Sequence, residues 1–450
     1  MLGIERPVDE GELRDERGPC MKLRTIVFWL HLLAGVVAGT IILVMSVTGV
    51  LLAFERQLVA FAEHQTRTVQ LPTAGTPRLA LDTLVAKAHE AVPGGTPSGV
   101  ILSADPMAAA VVNFGREQAV FVNPYTGTVS GHGAATLRAF FRVVTDWHRW
   151  LGVPEEDREV GRAITGACNA AFAVLVISGF YLWWPRRWTR LAVKAVTVPS
   201  LKLRGKPRDW NWHNAIGVWS APVLLFITLT GMVISYQWAG NLIYALTGSE
   251  PPPTPQRPVT GPPSQMGVGR GGAGPGASGS APEGRPGRQP SGEGSSRASL
   301  DALFASAARQ APHWRLINMR LPQRGAAQMA VMIEEADALH PYPRSTLTLD
   351  TATAMVMRWE PYASYNLGRT VRFWVRPVHT GEAGGLIGQL IAALASAGGA
   401  VLVYTGLALA WRRSWHCTKR RRRTGQPGQE DTVPQEGTRE GPGPVAAKPL

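Results

Sequence analysis

Four stretches of this chain, residues 25–54, 163–185, 210–249 and 383–411, contain no Asp, Glu, Lys or Arg. Crossing a hydrocarbon core takes about 20 apolar residues, whereas a buried helix of a soluble fold seldom keeps such a run beyond about 14. Each stretch is long enough to span a bilayer, so the expected fold is membrane α-helical, built on a four-helix transmembrane bundle. The mean hydropathy of −0.02 conceals this because the apolar residues are bunched.

The net charge of +14 raises the question of nucleic acid, but the cations stand at the ends of the apolar runs. Lys22 and Arg24 precede the first. Arg186, Arg187, Arg190, Lys194, Lys202, Arg204, Lys206 and Arg208 fill the short loop between the second and third. Arg412, Arg413, Lys419 and Arg420 to Arg423 follow the fourth. Lys and Arg near helix ends mark cytoplasmic loops. Both termini and the short loop are therefore expected in the cytoplasm and the two long loops outside, with a lipid bilayer and no nucleic acid as partner. The three cysteines are scattered and form no C-x-x-C or C-x-x-C-H motif, which speaks against a structural disulfide and covalent haem attachment.

Read along the chain, residues 1–20 are a polar, disordered leader without a signal-peptide pattern. The first transmembrane helix covers 21–58 and a first outer domain 59–147. An outer helix with the second span covers 148–187, a basic loop 188–209, and the third span 210–246. A disordered Pro/Gly linker follows at 247–298, then a second outer domain at 299–375, the fourth span at 376–415 and a basic disordered tail at 416–450. Each outer segment reads as a small α+β unit. Residues 79–91 and 300–311 are expected helices; 100–103, 109–114, 119–122, 315–321, 328–334 and 345–350 are expected strands.

Internal matches point to a tandem duplication. His31 and Gly35 precede Thr48-Gly49, as His213 and Gly217 precede Thr230-Gly231; the His-to-later-Gly distance is the same in both. Ser178-Gly179 precedes Trp184 as Thr405-Gly406 precedes Trp411, and Leu81-Asp82 matches Leu300-Asp301. His148 lies before the second span and His379 before the fourth. Two such copies share one orientation, with a pseudo-two-fold axis along the membrane normal.

The histidines are the chemistry-bearing residues. His31 with His213 falls near one face of the membrane and His148 with His379 near the other, one pair per leaflet. Ionisable groups in membrane segments are costly and usually functional. Gly35, Gly152 and Gly217 stand four residues after a histidine, where a small residue on the imidazole's helix face leaves room for a flat macrocycle. Two neutral imidazoles from facing helices are a usual way to hold low-spin haem iron. The expected cofactor is therefore haem b, two per chain, with His31, His213, His148 and His379 as axial iron ligands. Zinc or copper would want a carboxylate or thiolate nearby, and none is. Thr48, Ser178, Thr230 and Thr405 read as helix-packing positions. His64, His89, His132, His313, His340 and His416 read as solvated. The tryptophans suit an interfacial belt, with Trp147, Trp150 and Trp212 as candidates to flank a porphyrin. Tyr125, Tyr342, Tyr362 and Tyr365 read either as an outer binding surface or as ordinary turn residues. No nucleotide-binding loop or nucleophile elbow occurs.

These residues together resemble the PepSY-associated transmembrane helix family, iron-regulated inner-membrane proteins that include ferric-siderophore reductases. The resemblance rests on Phe28-Trp-Leu-His31, Asp146-Trp-His-Arg-Trp-Leu-Gly152, Ser178-Gly-Phe-Tyr-Leu-Trp-Trp-Pro-Arg186, Trp212-His213 and Val378-His379-Thr-Gly381. It covers residues 21–415 except the linker. It implies PepSY-like outer domains, with Asn123-Pro-Tyr-Thr-Gly127 as their characteristic turn; the second copy, Leu349-Asp350-Thr-Ala-Thr353, lacks the glycine. It also implies b-type haems on the four histidines.

The expected function is that of a dihaem b-type electron-transfer protein of the bacterial inner membrane. It would take electrons from a quinol or a cytoplasmic reductase and reduce a ferric siderophore or other ferric chelate at the periplasmic face, as a ferric-siderophore reductase in iron uptake. The alternative is a non-redox scaffold or sensor whose outer domains bind a periplasmic protein or peptide. A metal or proton transporter would want carboxylates inside the spans, and none falls there.

Overall fold

The computed structural model describes residues 20–70, 73, 75–115, 118–185, 188–252, 297–322, 326–336 and 344–424. The leader, most of the Pro/Gly linker, the tail beyond 424, Arg186, Arg187, His340 and Tyr342 lie outside the described residues, as do the side chains of His416 and Cys417.

The chain is a multi-pass membrane protein. Candidate spans are Leu23–Ala62, Ala135–Trp183, Gly205–Ser235 and Glu382–Ser414. In lipid the backbone must satisfy its own N–H and C=O groups, which makes these runs helical. Helix α1 (Cys20–Leu52) is followed by short α2 (Glu55–Ala62) and α3 (His64–Arg67). Next come α4 (Leu81–Ala91) and strands β1 (Gly99–Ser103), β2 (Ala110–Phe114), β3 (Gln118–Val122) and β4 (Val129–His132). Helices α5 (Ala135–Trp150), α6 (Arg158–Trp183), α7 (Arg190–Thr197), α8 (Gly205–Ser235) and α9 (Gln237–Leu246) follow. The later half holds α10 (Leu300–Gln310), β5 (Trp314–Arg320), β6 (Gln328–Glu335), β7 (Arg344–Asp350), β8 (Val356–Glu360), α11 (Leu367–His379) and α12 (Gly385–Thr424). Helices α1 and α8 each pack against both α6 and α12, so they stand on one diagonal of the bundle. The outward residues are apolar: Val37 is 72% exposed, Trp219 72% and Ile387 73%, the pattern of a lipid-facing surface.

The sequence suggests two self-contained α+β units; the structure merges their strands. All eight lie in a single antiparallel sheet of order β4-β3-β2-β1-β5-β6-β7-β8. The seam is β1 against β5, from Gly99 opposite Arg320 to Ser103 opposite Leu316. An unpaired edge strand is a liability, and this pairing leaves only β4 and β8 as edges. One apolar core runs across the seam, with Leu84, Val100 and Val112 from one side and Leu303, Ile317 and Leu347 from the other. Two reciprocal caps reinforce it. Asp301 accepts from the Leu81 N–H at the start of α4 (3.0 Å), and Asp82 accepts from the Leu300 N–H at the start of α10 (3.0 Å). The Leu-Asp match between the halves is thus an exchange of helix caps.

The two turns expected to differ are alike. Asn123 Oδ1 accepts from Tyr125 and Thr126 N–H, and Asp350 Oδ1 from Ala352 and Thr353 N–H. Four residues after each acceptor the backbone is left-handed, at Gly127 (φ 74°) and at Ala354 (φ 56°). The second turn keeps the conformation despite its missing glycine.

Several expected boundaries move. Strands β4 and β8 were not anticipated; they are short edge strands after those turns. The loop expected at 188–209 contains α7, and Asn211 ties it to the bundle by accepting from Ser200 N–H (2.7 Å) and donating to the Ala195 carbonyl (2.7 Å). Helix α8 begins at Gly205, which brings Asp209 into it, nearly fully buried between Arg208 (2.8 Å) and Arg412 (3.1 Å). The third span breaks at Tyr236 before α9. Where α3 meets α5, Glu63 is fully buried and accepts from Arg67 (2.6 Å), Arg138 (2.6 Å) and the Ala134 N–H (3.0 Å). Burial alone would raise its pKa, but the bonds from Arg138 and Arg67 outweigh that and hold it below the usual range.

Candidate cofactor site

The four candidate ligands come together in the two expected pairs. The ring centroids of His31 on α1 and His213 on α8 are 6.4 Å apart, and those of His148 on α5 and His379 on α11 are 6.5 Å apart. All four rings are half-buried. His148 lies within the span Ala135–Trp183, ahead of α6, and His379 lies just before the span Glu382–Ser414. They ride on amphipathic helices that turn into α6 and α12 through left-handed residues, Leu151 and Gly152 in one half and Gly381 and Gly385 in the other.

Each imidazole is fixed from behind by a hydroxyl of its own half. Nδ1 of His31 meets Ser178 Oγ (2.8 Å), and Nδ1 of His148 meets Thr48 Oγ1 (2.8 Å). In the later half, Nδ1 of His213 meets Thr405 Oγ1 (3.0 Å) and Nδ1 of His379 meets Thr230 Oγ1 (3.1 Å). Each hydroxyl donates its proton to the carbonyl four residues earlier: Ser178 to Val174 (2.7 Å), Thr48 to Val44 (2.6 Å), Thr405 to Val401 (2.8 Å) and Thr230 to Phe226 (2.6 Å). With that proton committed, the oxygen can only accept, so Nδ1 carries the ring proton. His379 shows it independently, because its Nδ1 also donates to the Ile227 carbonyl (3.0 Å). The network therefore selects the tautomer with a lone pair on Nε2, the form that binds a metal.

The reading of Thr48, Ser178, Thr230 and Thr405 as packing positions is thus corrected: they hold the four imidazoles. The glycine after each is part of the same device. A Cβ at Gly179 or Gly406 would stand 3.3 or 3.4 Å from Cε1 of His31 or His213, and one at Gly231 or Gly49 would stand 3.3 or 3.5 Å from Cε1 of His379 or His148. The signal was in the sequence as four Ser/Thr-Gly dipeptides placed alike in both halves, but a hydroxyl in a membrane helix usually serves its own backbone. Only the tertiary structure shows the imidazole on its other side.

The geometry suits an atom held between two imidazoles. Nδ1 and Nε2 are 1,3-related, so turning one outward onto a hydroxyl turns the other toward the gap. Allowing roughly 1.1 Å from each centroid to its nitrogen leaves about 4 Å, the span of two imidazole–metal bonds of about 2.0–2.1 Å each. Among the described residues no cluster of three or more His, Cys, Asp or Glu able to hold a metal ion occurs. Two imidazoles alone leave a metal's equatorial positions to another ligand, and a porphyrin supplies four nitrogens there.

Around His31 and His213 the space for such a ring is present. A cavity of about 740 Å³ is lined by both histidines together with Gly35, Gly39, Ile42, Phe172, Gly217, Leu224 and Gly406, and Arg24, Lys206 and Arg413 stand in its wall. That volume lies within the roughly 300–1,000 Å³ usual for cofactor pockets. Gly35 and Gly217 line this cavity. Gly152 does not: it stands past the end of α5 at φ 71°, against the Trp147 indole, and shares no helix face with His148. Trp150 is buried under Arg149 and Arg158 (4.4 and 4.5 Å), and Trp212 lies under Arg208 (5.6 Å) while its indole N–H donates to the Ser200 carbonyl (3.0 Å). His64, His89, His132 and His313 are exposed, as expected of solvated side chains.

The family model for the PepSY-associated TM region matches residues 28–413, which contain all four histidines and all four hydroxyls. The chain belongs to this family. No curated protein matches it.

Proposed function

We propose that this chain is an inner-membrane dihaem b-type electron-transfer protein that reduces a ferric siderophore or another ferric chelate at its sheet-bearing, periplasmic face for iron uptake. The observation that carries the reading is the pair of facing imidazoles, twice over, each with Nδ1 held by a hydroxyl oxygen of its own half. Haem b held there by His31 with His213 and by His148 with His379 would supply one-electron transfer.

The chain's residues hold, orient and shield. His31 and Thr48 are 17 positions apart on α1, as are His213 and Thr230 on α8, which is about 25 Å at 1.5 Å per residue. A hydrocarbon core is about 30 Å thick, so the two pairs belong near opposite faces. Each half anchors its own two imidazoles, and each site is completed only where the halves meet. That is the arrangement a tandem duplication about an axis along the membrane normal produces. The cation-rich end, with α7, the start of α1 and the end of α12, is the cytoplasmic one, where a quinol or reductase donates. The PepSY-like strands and helices form the outer layer.

The test is optical. Purified full-length protein should carry roughly two b haems with a reducible Soret band, and His31→Ala/His148→Ala should abolish it. A colourless, fully folded wild-type protein would refute the redox reading and leave a scaffold or sensor.

A further inference from the structure

The cavity between His31 and His213 has a feature that axial ligation does not use. Its wall contains Arg24, Lys206 and Arg413, and no Asp or Glu among the described residues that line it; apart from Asn214 and Thr25 the rest is the histidines and apolar or aromatic side chains. The placement is regular. Arg24 lies seven residues before His31 and Lys206 seven before His213, two helical turns away on the same face and about 10 Å nearer the bundle's terminal end. Arg413 lies eight residues after Thr405, the hydroxyl that anchors His213.

Two of the three side chains are held in place. Arg24 donates to the Leu182 and Trp184 carbonyls (2.5 and 3.4 Å) at the end of α6. The Arg413 guanidinium lies over the Phe28 and Trp29 rings (5.1 and 4.8 Å). Cations gathered around an apolar cavity favour a ligand that is apolar in its body and anionic at one edge. Helix α7 does not meet this description, because its Arg190 and Lys194 are exposed. Nor does the cavity beside α2 and α5, whose Arg56, Arg67 and Arg138 have Glu382 and Glu63 as partners.

We infer that Arg24, Lys206 and Arg413 form a carboxylate-binding collar that fixes the in-plane orientation of the macrocycle held by His31 and His213, drawing its two acid side chains toward the terminal end. This rests on the haem reading proposed above. The three are positioning residues: they touch the edge of the ligand and leave the iron to the histidines. Placing cations at that edge also stabilises the reduced, more negative form, which raises the potential of this site relative to one without them.

The experiment uses full-length protein prepared without haem in detergent and titrated with haem b or with its dimethyl ester, which lacks the two negative charges. Expected for the wild type is two sites, one of which binds the free acid more tightly than the ester by about tenfold for each charge pairing lost. Arg24→Gln/Lys206→Gln/Arg413→Gln should erase that preference and move one of the two midpoint potentials to a more negative value, leaving the other in place. Arg24→Lys/Lys206→Arg/Arg413→Lys should restore both, which separates charge from folding. The sheet-end haem is the internal control that the variant is folded. Two bound haems with equal acid and ester affinity at both sites would overturn the collar while leaving the haem reading intact, and so would a glutamine variant that titrates like the wild type. An anionic phospholipid retained at the collar in haem-loaded protein would overturn it too. Absence of any haem binding would overturn both readings.

Discussion

Removing the Ser178 hydroxyl is the sharpest test of how the ligands are oriented. Ser178 Oγ is the hydrogen-bond acceptor recorded for His31 Nδ1 (2.8 Å). The other three rings have a backbone carbonyl in reserve: Met45 for His148, Leu402 for His213 and Ile227 for His379. Ser178→Ala deletes one oxygen, leaves Val174 an ordinary helix carbonyl, and strands an N–H in an apolar setting. A buried donor without its acceptor costs about 1–3 kcal/mol, which is about 5- to 150-fold in ligand affinity. Loss of the hydrogen-bond partner behind a metal-binding imidazole typically weakens a metal site about 10–100-fold, in agreement. The imidazole also becomes a poorer electron donor, which favours the ferrous state. If the ferric form loses tenfold more than the ferrous, the midpoint potential rises by about 59 mV. The assay is haem-to-protein ratio with an optical redox titration of purified protein. One component should weaken and shift positive while the other holds. Thr48→Val, Thr230→Val and Thr405→Val should each do less, because a carbonyl takes over the proton. Two full haems with unshifted potentials in Ser178→Ala would refute the orienting role.

Three further outcomes follow from other contacts. Gly179→Ala or Gly406→Ala places a methyl 3.3 or 3.4 Å from an imidazole Cε1, so the low-spin spectrum of the terminal-end haem should change while the overall fold by circular dichroism does not. Glu63→Ala strands Arg67 and Arg138 and should cost about 3 kcal/mol, measurable as a lowered thermal midpoint. Because the folded pKa of Glu63 is depressed, its contribution is full above its unfolded value of about 4.3 and disappears as pH falls through the folded value. Wild type and variant should therefore converge in stability only in acid. Asp82→Ala and Asp301→Ala should each cost about 1 kcal/mol, and amide exchange should quicken at the start of the helix capped across the seam, α10 for the first and α4 for the second.

Much of the fold was legible because its signals are local. Uncharged runs of membrane length, short apolar runs in β1 to β3, and turn residues at Asn123 and Asp350 all act within a few positions. The histidine pairing was legible for a different reason: the repeated spacing imposes a symmetry, and symmetry names partners that distance along the chain does not. Gly152 shows the limit of that reasoning, since the same i, i+4 spacing as Gly35 occurs where the helix has already ended.

By itself, then, the sequence determined which segments enter the bilayer, which way the cations bias them, and which imidazoles face each other across the two halves. The tertiary structure decided that β1 pairs with β5 and closes two small units into one sheet, that Asp82 and Asp301 cap each other's helices, and that four hydroxyls meet four imidazoles. The physical reason is the reach of the forces. Hydrophobic transfer and helix formation read the composition of a run, whereas a hydrogen bond between Ser178 and His31, 147 residues apart, exists only once packing has brought both within 3 Å.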